Sequence, residues 1–312
     1  MRIIPLTYEL CNIYQSKLSD YIYQSVRNSH YVDSFAQKDA ESKCLELKEY
    51  LRNNKAVCYG AINDEDLVGF IWAYEFPFRD DKKRLYISII HVDAGYRGHH
   101  IGSQLIKEVQ EYAERNNYNA LFLHTEAHNT NAQGFYKSIG FELERLQLVK
   151  KVEASQNKWG VKRLDAFFLK EHIDKFSELF LQNLKAHTFV ESFDYQYAYM
   201  KMDALCNYLS EGKAYCFYIE ENNQIYGFIW GYKYPYKGKD RMLIAAIQIS
   251  EDCRSKGYGM QLIESLQDIA RKNNLHYVYT HTDAINKRAQ KFYHNLGFVD
   301  EEYQFVLFKK IG

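Results

Sequence analysis

Two short segments of the sequence combine a basic residue with closely spaced glycines, at Arg97–Gly102 and Arg254–Gly259. Each follows an apolar run typical of a strand and precedes an amphipathic helical pattern. Amides at a helix start lack intrahelical partners and lie at the positive end of the helix dipole, so such a turn can bind a pyrophosphate. Glycine would let the anion approach because it has no Cβ. Taken alone, the spacing is also typical of an ordinary glycine turn.

The elements that must position these turns occur twice along the chain. A shift of 157 residues places HTEAHNTNAQGFYKSIGF (124–141) on HTDAINKRAQKFYHNLGF (281–298), and 22 of 59 positions are identical between 91–149 and 248–306. A period this long is typical of a duplicated domain and not of a solenoid. The chain therefore consists of two copies of one domain.

The repeat also sets the predicted boundaries. The first copy covers 1–151, the second covers 161–312, and the polar stretch 152–160 is the predicted linker. Strand and helix patterns alternate in the second half of each copy. The predicted fold is α/β, with two tandem domains that each have a mixed central β-sheet flanked by helices. The helix after each turn should bury one face, formed by Ile101, Leu105, Ile106, Val109 and Ala113 in the first copy and by Tyr258, Leu262, Ile263, Leu266 and Ala270 in the second.

Composition narrows the classes of function. Forty basic and forty acidic residues give zero net charge, which disfavours a nucleic-acid partner. No run approaches the roughly 20 apolar residues that cross a bilayer, and the first residues lack the apolar core of a signal peptide. The six cysteines are scattered without a CxxC pair, which is typical of free thiols. These features predict a cytoplasmic protein with no membrane partner.

A second motif completes a resemblance to a known family. The GNAT superfamily of acetyl-CoA-dependent N-acetyltransferases has a pyrophosphate turn, (R/Q)xxGx(G/A), and further along often NxxAxxxYxxxGF. The chain has this second spacing at Asn129, Ala132, Tyr136 and Gly140-Phe141, and again at Asn286, Ala289, Tyr293 and Gly297-Phe298. The two motifs occur in the same order in both copies. The sequence therefore resembles a tandem, two-domain member of this superfamily along essentially its whole length.

The resemblance implies acetyl-CoA as a co-substrate and no metal. The backbone amides of each turn would hold its pyrophosphate, the end of the preceding strand would pair with the pantetheine arm, and an asparagine side chain would bond that arm. The implied binding residues are Val92, Arg97, Gly98, His99, His100, Ile101, Gly102 and Asn129 in the first copy, and Ile249, Arg254, Ser255, Lys256, Gly257, Tyr258, Gly259 and Asn286 in the second.

The resemblance also implies a role for two tyrosines. Tyr136 and Tyr293 would stand near the sulfur and protonate the departing thiolate, since a phenol can donate a proton without being charged itself. On spacing alone, helix packing beside Phe135 and Phe292 explains both tyrosines equally well.

The two turns differ at one position. His100 stands where the middle glycine belongs, and its Cβ would crowd the anion or strain a positive φ. This difference ranks the second copy as the catalytic unit, and the first as a weaker site or a structural partner.

A base must accept the proton of the attacking amine. The aligned carboxylates Glu126 and Asp283 each follow a strand histidine by two residues, which makes them the predicted bases, with Asp283 preferred. Glu75 and His91 are further candidates in the first copy. For any one of these side chains, a solvated charge at a strand end is an alternative explanation.

The implied reaction moves an acetyl group from acetyl-CoA to the amine of a small-molecule acceptor. The aromatic residues Phe193, Tyr195, Tyr197 and Tyr199 either hold that acceptor or pack between the domains. The alternative function is a degenerate GNAT pair that binds acyl-CoA as a sensor or an interaction module. A dinucleotide-binding oxidoreductase is excluded, because neither copy has GxGxxG after its first strand.

Overall fold

The computed structural model describes residues 1–27, 36–76, 83–152, 160–184, 193–236 and 239–308. The helices and strands of these residues follow in chain order. They are β1 (Arg2–Pro5), α1 (Tyr8–Ile13), α2 (Gln15–Arg27), α3 (Gln37–Arg52), β2 (Ala56–Asn63), β3 (Asp66–Phe76), β4 (Arg84–Val92), α4 (Ile101–Arg115), β5 (Ala120–Glu126), α5 (Thr130–Ser138), β6 (Glu142–Lys151), β7 (Lys162–Leu164), α6 (Ala166–Glu171), α7 (Ile173–Leu184), α8 (Tyr195–Ser210), β8 (Tyr215–Glu221), β9 (Gln224–Tyr236), β10 (Lys239–Ile249), α9 (Tyr258–Lys272), β11 (Tyr277–Asp283), α10 (Lys287–Asn295) and β12 (Val299–Phe308).

The chain forms two compact units that exchange their closing strands. Unit 1 comprises 1–144 and 303–312, and unit 2 comprises 145–302. The boundaries predicted from the repeat assign each closing strand to its own copy, whereas here most of β6 belongs to unit 2 and the later part of β12 to unit 1. The exchange leaves every local pattern intact, because the two closing strands occupy equivalent positions in the repeat.

Each unit contains a mixed sheet. In unit 1 the described strands lie in the order β1-β2-β3-β4-β5-β12, and in unit 2 the order β7-β8-β9-β10-β11-β6 corresponds to it. The pairs β4–β5 and β10–β11 are parallel, while their neighbours β3–β4 and β9–β10 are antiparallel. This arrangement confirms the predicted fold class.

The parallel strands of each unit pair over a short stretch. β4 and β5 pair over 84–86 and 120–122, although β4 continues to Val92. A shift in the β3–β4 register makes Ser88 an extra residue just beyond the paired stretch. In unit 2 the equivalent shift makes Ala245 the extra residue. Because a bulge bends its strand, it helps to separate β4 from β5 and β10 from β11.

Helices bury apolar side chains on both faces of the unit 1 sheet. One cluster joins α1–α3 to the sheet and contains the fully buried Trp72. Another contains the predicted stripe of α4, together with Phe305 from the exchanged strand. The predicted stripe of α9 is buried in the same way. These packed helices fix the start of α4 and of α9 against the strands that precede them.

The six cysteines are buried and free, which confirms that prediction. Among the helices that the structure describes, none has both the length and the apolar character needed to cross a membrane.

Candidate active site

A cavity of about 980 Å³ lies in unit 1 where β4 and β5 separate. The end of α2, the two strands, the turn before α4 and helix α5 contribute its walls. Nine residues singled out in the sequence line it together, namely His91, Val92, Arg97, Gly98, His100, Ile101, Gly102, Asn129 and Tyr136. His99 and Glu126 are not part of this lining. The cavity therefore brings the two motifs of the first copy to one place.

The turn before α4 presents open amides. The first intrahelical bond runs from the Gln104 N–H to the His100 carbonyl at 3.0 Å, so the three amides from Ile101 to Ser103 precede the helical ladder. In unit 2 the Gln261 N–H bonds the Gly257 carbonyl at 3.2 Å, and the same three positions precede it. Both helix starts can therefore donate to an anion.

The two turns share one backbone conformation. In unit 1, Gly98 has φ +83° and His100 has φ +59°, and in unit 2 the equivalent Ser255 and Gly257 have φ +69° and +82°. Each turn thus holds one glycine and one non-glycine residue in the left-handed region. The strain expected at His100 is present, but Ser255 carries the same strain, so it does not distinguish the copies.

The last glycine of each turn meets an aromatic ring. A Cβ on Gly102 would lie 3.2 Å from the Phe135 ring, and one on Gly259 would lie 2.8 Å from the Phe292 ring. A side chain here would first collide with α5 or α10. The access of an anion, which the sequence suggested as the reason for these glycines, is thus not their closest constraint.

Several residues that are predicted to contact acetyl-CoA form polar contacts within the protein. The Arg97 Nε donates to the Val92 carbonyl at 3.0 Å. Arg254 pairs with Glu251 at 2.8 Å, and Tyr258 donates its hydroxyl to Glu221 at 2.7 Å. The remaining predicted residues of unit 2, Ile249 and Lys256, lie at the end of β10 and in the turn.

The two motif asparagines cap helices. Asn129 Oδ1 accepts from the Ala132 N–H at 3.1 Å, and Asn286 Oδ1 accepts from the Ala289 N–H at 3.0 Å. This N-cap satisfies one of the open amides of each short helix. The oxygen keeps a second lone pair and the amide nitrogen carries two hydrogens, so the side chain can still serve the predicted contact with the pantetheine arm.

The two motif tyrosines are buried to a similar extent. Burial raises the pKa of Tyr136 to about 12 and that of Tyr293 to about 12 as well. In unit 2 a hydrogen bond between Tyr293 and Thr280 opposes this rise. Both phenols are therefore protonated at neutral pH and can act as proton donors.

The surroundings of the two tyrosines differ. Tyr136 lines the cavity, and its hydroxyl has no hydrogen-bond partner among the described residues. In unit 2, Thr280 lies beside Tyr293 and donates its hydroxyl hydrogen to the Ile244 carbonyl at 3.2 Å, which ties β11 to β10 beyond their paired stretch. The repeat places Leu123, which has no hydroxyl, at the Thr280 position.

The predicted carboxylate bases have polar partners. Glu126 lies 2.8 Å from His128 Nε2, and Asp283, which is 6% exposed, lies 3.5 Å from Arg145 Nε. Glu75 accepts from the Tyr118 hydroxyl at 2.9 Å. The base role of these carboxylates stays a prediction.

A histidine that the sequence had not selected as a base lies in the cavity wall. His124 of β5 lies 3.1 Å from Gln304 Oε1 through its Nε2. Gln304 Nε2 donates to Glu144 at 2.5 Å, and Glu144 accepts two hydrogen bonds of 2.9 Å from the buried Arg84. Because a carboxylate only accepts, the Gln304 amide must face Glu144 with its nitrogen and His124 with its oxygen.

This chain of contacts fixes one tautomer of His124. Gln304 Oε1 requires a proton on His124 Nε2, so Nδ1 is the acceptor nitrogen of the neutral ring. Protonation at Nδ1 would leave the bond to Gln304 unchanged.

Unit 2 contains an equivalent chain. His281 Nε2 lies 2.8 Å from Gln147 Oε1, and Gln147 Nε2 donates to Glu301 at 2.7 Å. Glu301 accepts from the buried Arg241 at 2.7 and 2.8 Å. In both units the glutamine comes from the exchanged strand. The repeat alone could have indicated the two histidines, because they align, but it gives no sign of glutamines exchanged between copies.

The aromatic segment of α8 has a structural role in unit 2. Phe193 and Tyr197 pack on the core formed by α6–α8. Tyr195 donates to Asp174 at 2.5 Å and lies beside Tyr199, and both tyrosines are 40% exposed. Their predicted part in holding an acceptor remains a prediction.

Comparisons with known proteins agree with the two motifs. The sequence model of the acetyltransferase (GNAT) family matches residues 19–141 and again 175–298. The probable N-acetyltransferase san of Drosophila melanogaster is 32% identical over 77 residues, which are 24% of this chain and 42% of that protein. The chain thus matches less than half the length of this relative. The resemblance drawn from the motifs is confirmed.

Solved structures share the fold. A GCN5-related N-acetyltransferase from Sphaerobacter thermophilus superposes with a TM-score of 0.60 at 14% identity, over 98% of this chain and 95% of the other. A tandem GNAT protein from the clavulanic acid biosynthesis pathway gives 0.53 at 12% identity, over 98% of both chains. At this identity the likeness concerns the fold and the two-domain layout.

Proposed function

Because this chain belongs to the acetyltransferase (GNAT) family, we propose that unit 1 transfers an acetyl group from acetyl-CoA to the amine of a small-molecule acceptor. The observation that carries the proposal is the cavity that joins the open amides of α4, the Tyr136 hydroxyl and His124. Its volume, about 980 Å³, is typical of a site for small molecules. The family uses amide-rich turns of this kind for the pyrophosphate of the donor.

The residues of the cavity can divide the proton transfers between them. The amine attacks the thioester carbonyl and loses a proton to His124 Nδ1, and the carbon–sulfur bond breaks. Tyr136 donates its proton to the departing thiolate, which leaves as a neutral thiol. The transfer is balanced in protons, because His124 gains the proton that the amine loses and Tyr136 supplies the proton that the thiolate gains.

Several differences between the two units favour unit 1 as the site of the proposed reaction. The ranking from the glycine pattern favours the second copy, but Ser255 removes that distinction. In unit 2 the Thr280 hydroxyl beside Tyr293 bridges the two strands, whereas Tyr136 lines a cavity. The acyl-CoA sensor proposed as an alternative for the whole chain is favoured here for unit 2 alone.

A coupled assay tests the proposed function. Purified protein is given acetyl-CoA and a panel of amino alcohols, amino sugars, amino acids and short peptides, and thiol release is followed together with the mass of the acceptor. The proposal expects one class of acceptor to gain an acetyl group in equal amount to the thiol released. Tight acetyl-CoA binding with only slow thiol release, the same for every acceptor, would contradict it and favour a sensor.

A further inference from the structure

His91 places an unsatisfied nitrogen in the wall of the unit 1 cavity. The side chain lies near the end of β4 and is only 7% exposed. Its Nε2 is buried and has no hydrogen-bond partner among the described residues. Buried polar atoms are nearly always bonded, so an exception at a cavity wall indicates a missing partner.

The bonds of Ser25 determine which kind of partner is missing. The Ser25 hydroxyl donates its single hydrogen to the Tyr21 carbonyl at 2.8 Å. His91 Nδ1 lies 3.1 Å from the same hydroxyl oxygen, so Nδ1 must carry the proton and donate it. The neutral ring then has its lone pair on Nε2. The missing partner is therefore a hydrogen-bond donor.

The surroundings keep this ring neutral. The imidazole stacks on the Tyr21 ring with centroids 4.4 Å apart. Burial, helped by the positive charge of Arg97, lowers the pKa of His91 to about 4. A ring that resists protonation in this way is a poor proton acceptor in catalysis but a lasting hydrogen-bond acceptor.

Unit 2 presents an acceptor at the aligned position. Gln248 replaces His91 in the repeat and is 5% exposed. Its Oε1 is buried and, within the described part of the chain, also lacks a hydrogen-bond partner. Two different side chains therefore bring the same kind of atom, a buried and unpaired acceptor, to the same place in each copy.

We infer that His91 is a ligand-binding residue whose Nε2 accepts a hydrogen bond from an N–H or O–H group of a substrate in the unit 1 cavity. The inference rests on the proposed function, because it takes the two substrates as the contents of the cavity. The donor group belongs either to the acceptor molecule, as a hydroxyl or a second N–H beside the reacting amine, or to an amide of the pantetheine arm.

Three variants test this role. His91→Leu and His91→Phe remove the acceptor atom, and the phenyl ring keeps the stacking on Tyr21. His91→Gln restores an acceptor as Gln248 does in unit 2. Thermal unfolding establishes that each variant is folded. Calorimetry with coenzyme A gives the donor affinity, and steady-state kinetics with the best amine of the panel gives the acceptor KM.

The Leu and Phe variants should weaken one of these constants by about 10- to 100-fold, the cost of leaving one buried donor unpaired. An increase in the acceptor KM alone assigns the donor group to the acceptor, and a weaker affinity for coenzyme A assigns it to the pantetheine arm. His91→Gln should stay within about threefold of wild type, because it retains an acceptor atom.

Two results would overturn the inference. If wild type acetylates an amine while His91→Leu and His91→Phe keep both constants within threefold, the inference fails and the proposed function stands. If wild type neither binds coenzyme A nor acetylates any amine, the proposed function fails and this inference with it.

Discussion

The two copies place the same tyrosine in different surroundings. Tyr136 and Tyr293 occupy equivalent helices and are buried to a similar extent, and burial raises the pKa of each to about 12. Tyr136 lines a cavity of unit 1, whereas Tyr293 lies beside Thr280, whose hydroxyl bridges to the neighbouring strand. An intact motif alone therefore does not distinguish the two copies. Residues outside the motif, such as Thr280 and Leu123, make the surroundings of its hydroxyl different in the two copies.

A second comparison shows what the copies have in common. Each unit contains a histidine, a glutamine, a glutamate and an arginine joined in one chain of hydrogen bonds. The glutamine is always encoded in the other copy, since the closing strands are exchanged. The histidine of each unit therefore depends on the sequence of both copies.

The largest effect is expected from removing the base of unit 1. His124→Gln should lower kcat by about 10³-fold, because the proposed acceptor of the amine proton is then missing. His281→Gln is the matched change in unit 2 and should leave turnover within about threefold of wild type. Steady-state kinetics across pH measures both. Equal losses of turnover in the two variants would contradict the assignment of the reaction to unit 1.

A smaller loss should follow when the partner of this histidine is removed. Gln304→Leu should lower kcat by about tenfold, since His124 then loses the bond that fixes its tautomer. Nitrogen NMR shifts of the imidazole should show mixed tautomers for His124 and no change for His281. Gln147→Leu should produce the opposite pattern. An unchanged His124 spectrum in Gln304→Leu would contradict the proposed chain of contacts.

The third prediction concerns acid stability and separates His91 from Gln248. Burial lowers the pKa of His91 from its ordinary 6.5 to about 4. Between these values the unfolded chain binds a proton that the native ring does not, so the stabilising effect of the neutral ring is present above pH 6.5 and is lost as the pH falls toward 4. Wild type should therefore lose about 2 kcal/mol more unfolding free energy than His91→Gln over this range.

Denaturant unfolding at several pH values measures this difference. Gln248→Leu provides the comparison in unit 2, where no titrating group is removed, and its acid sensitivity should match that of wild type. Parallel pH profiles for wild type and His91→Gln would rule out the buried neutral histidine.

The smallest effects are expected in the two turns. His100→Gly and Ser255→Gly each relieve a left-handed non-glycine residue and should raise the free energy of unfolding by about 0.5 to 1 kcal/mol. The gain should be similar in both, because the turns share one conformation. A gain confined to His100→Gly would restore the asymmetry that the sequence suggested.

Sequence patterns captured the repeated and local features of the molecule. The duplication follows from the internal repeat. The mixed sheets and the buried stripes of α4 and α9 follow from the hydrophobic periodicity, which is present in both copies. The exchange of closing strands could not be predicted, because β6 and β12 are equivalent in the repeat and either partner satisfies the same pattern. The contact of His124 with Gln304 depends on that exchange and was missed with it.

The backbone conformation of the two turns could not be predicted from the sequence. The sequence marks His100 as the irregular residue of its turn, but it does not show that Ser255 adopts the same left-handed conformation. Backbone angles, and not glycine positions, make the turns equivalent. The base role of Glu126 and Asp283 was inferred from their alignment, and it remains a prediction beside the base role proposed for His124.

The most direct test of the account compares Tyr136→Phe with Tyr293→Phe. Each change removes one oxygen from a ring that is buried to a similar extent on an equivalent helix, so the two folding costs should be comparable while the effects on the chemistry should differ. Acetyl-transfer turnover at saturating substrates is the measurement. The account predicts a loss of about 10²-fold for Tyr136→Phe and a change of less than about threefold for Tyr293→Phe. A large loss in Tyr293→Phe with a near-normal Tyr136→Phe would place the reaction in unit 2 and contradict the account.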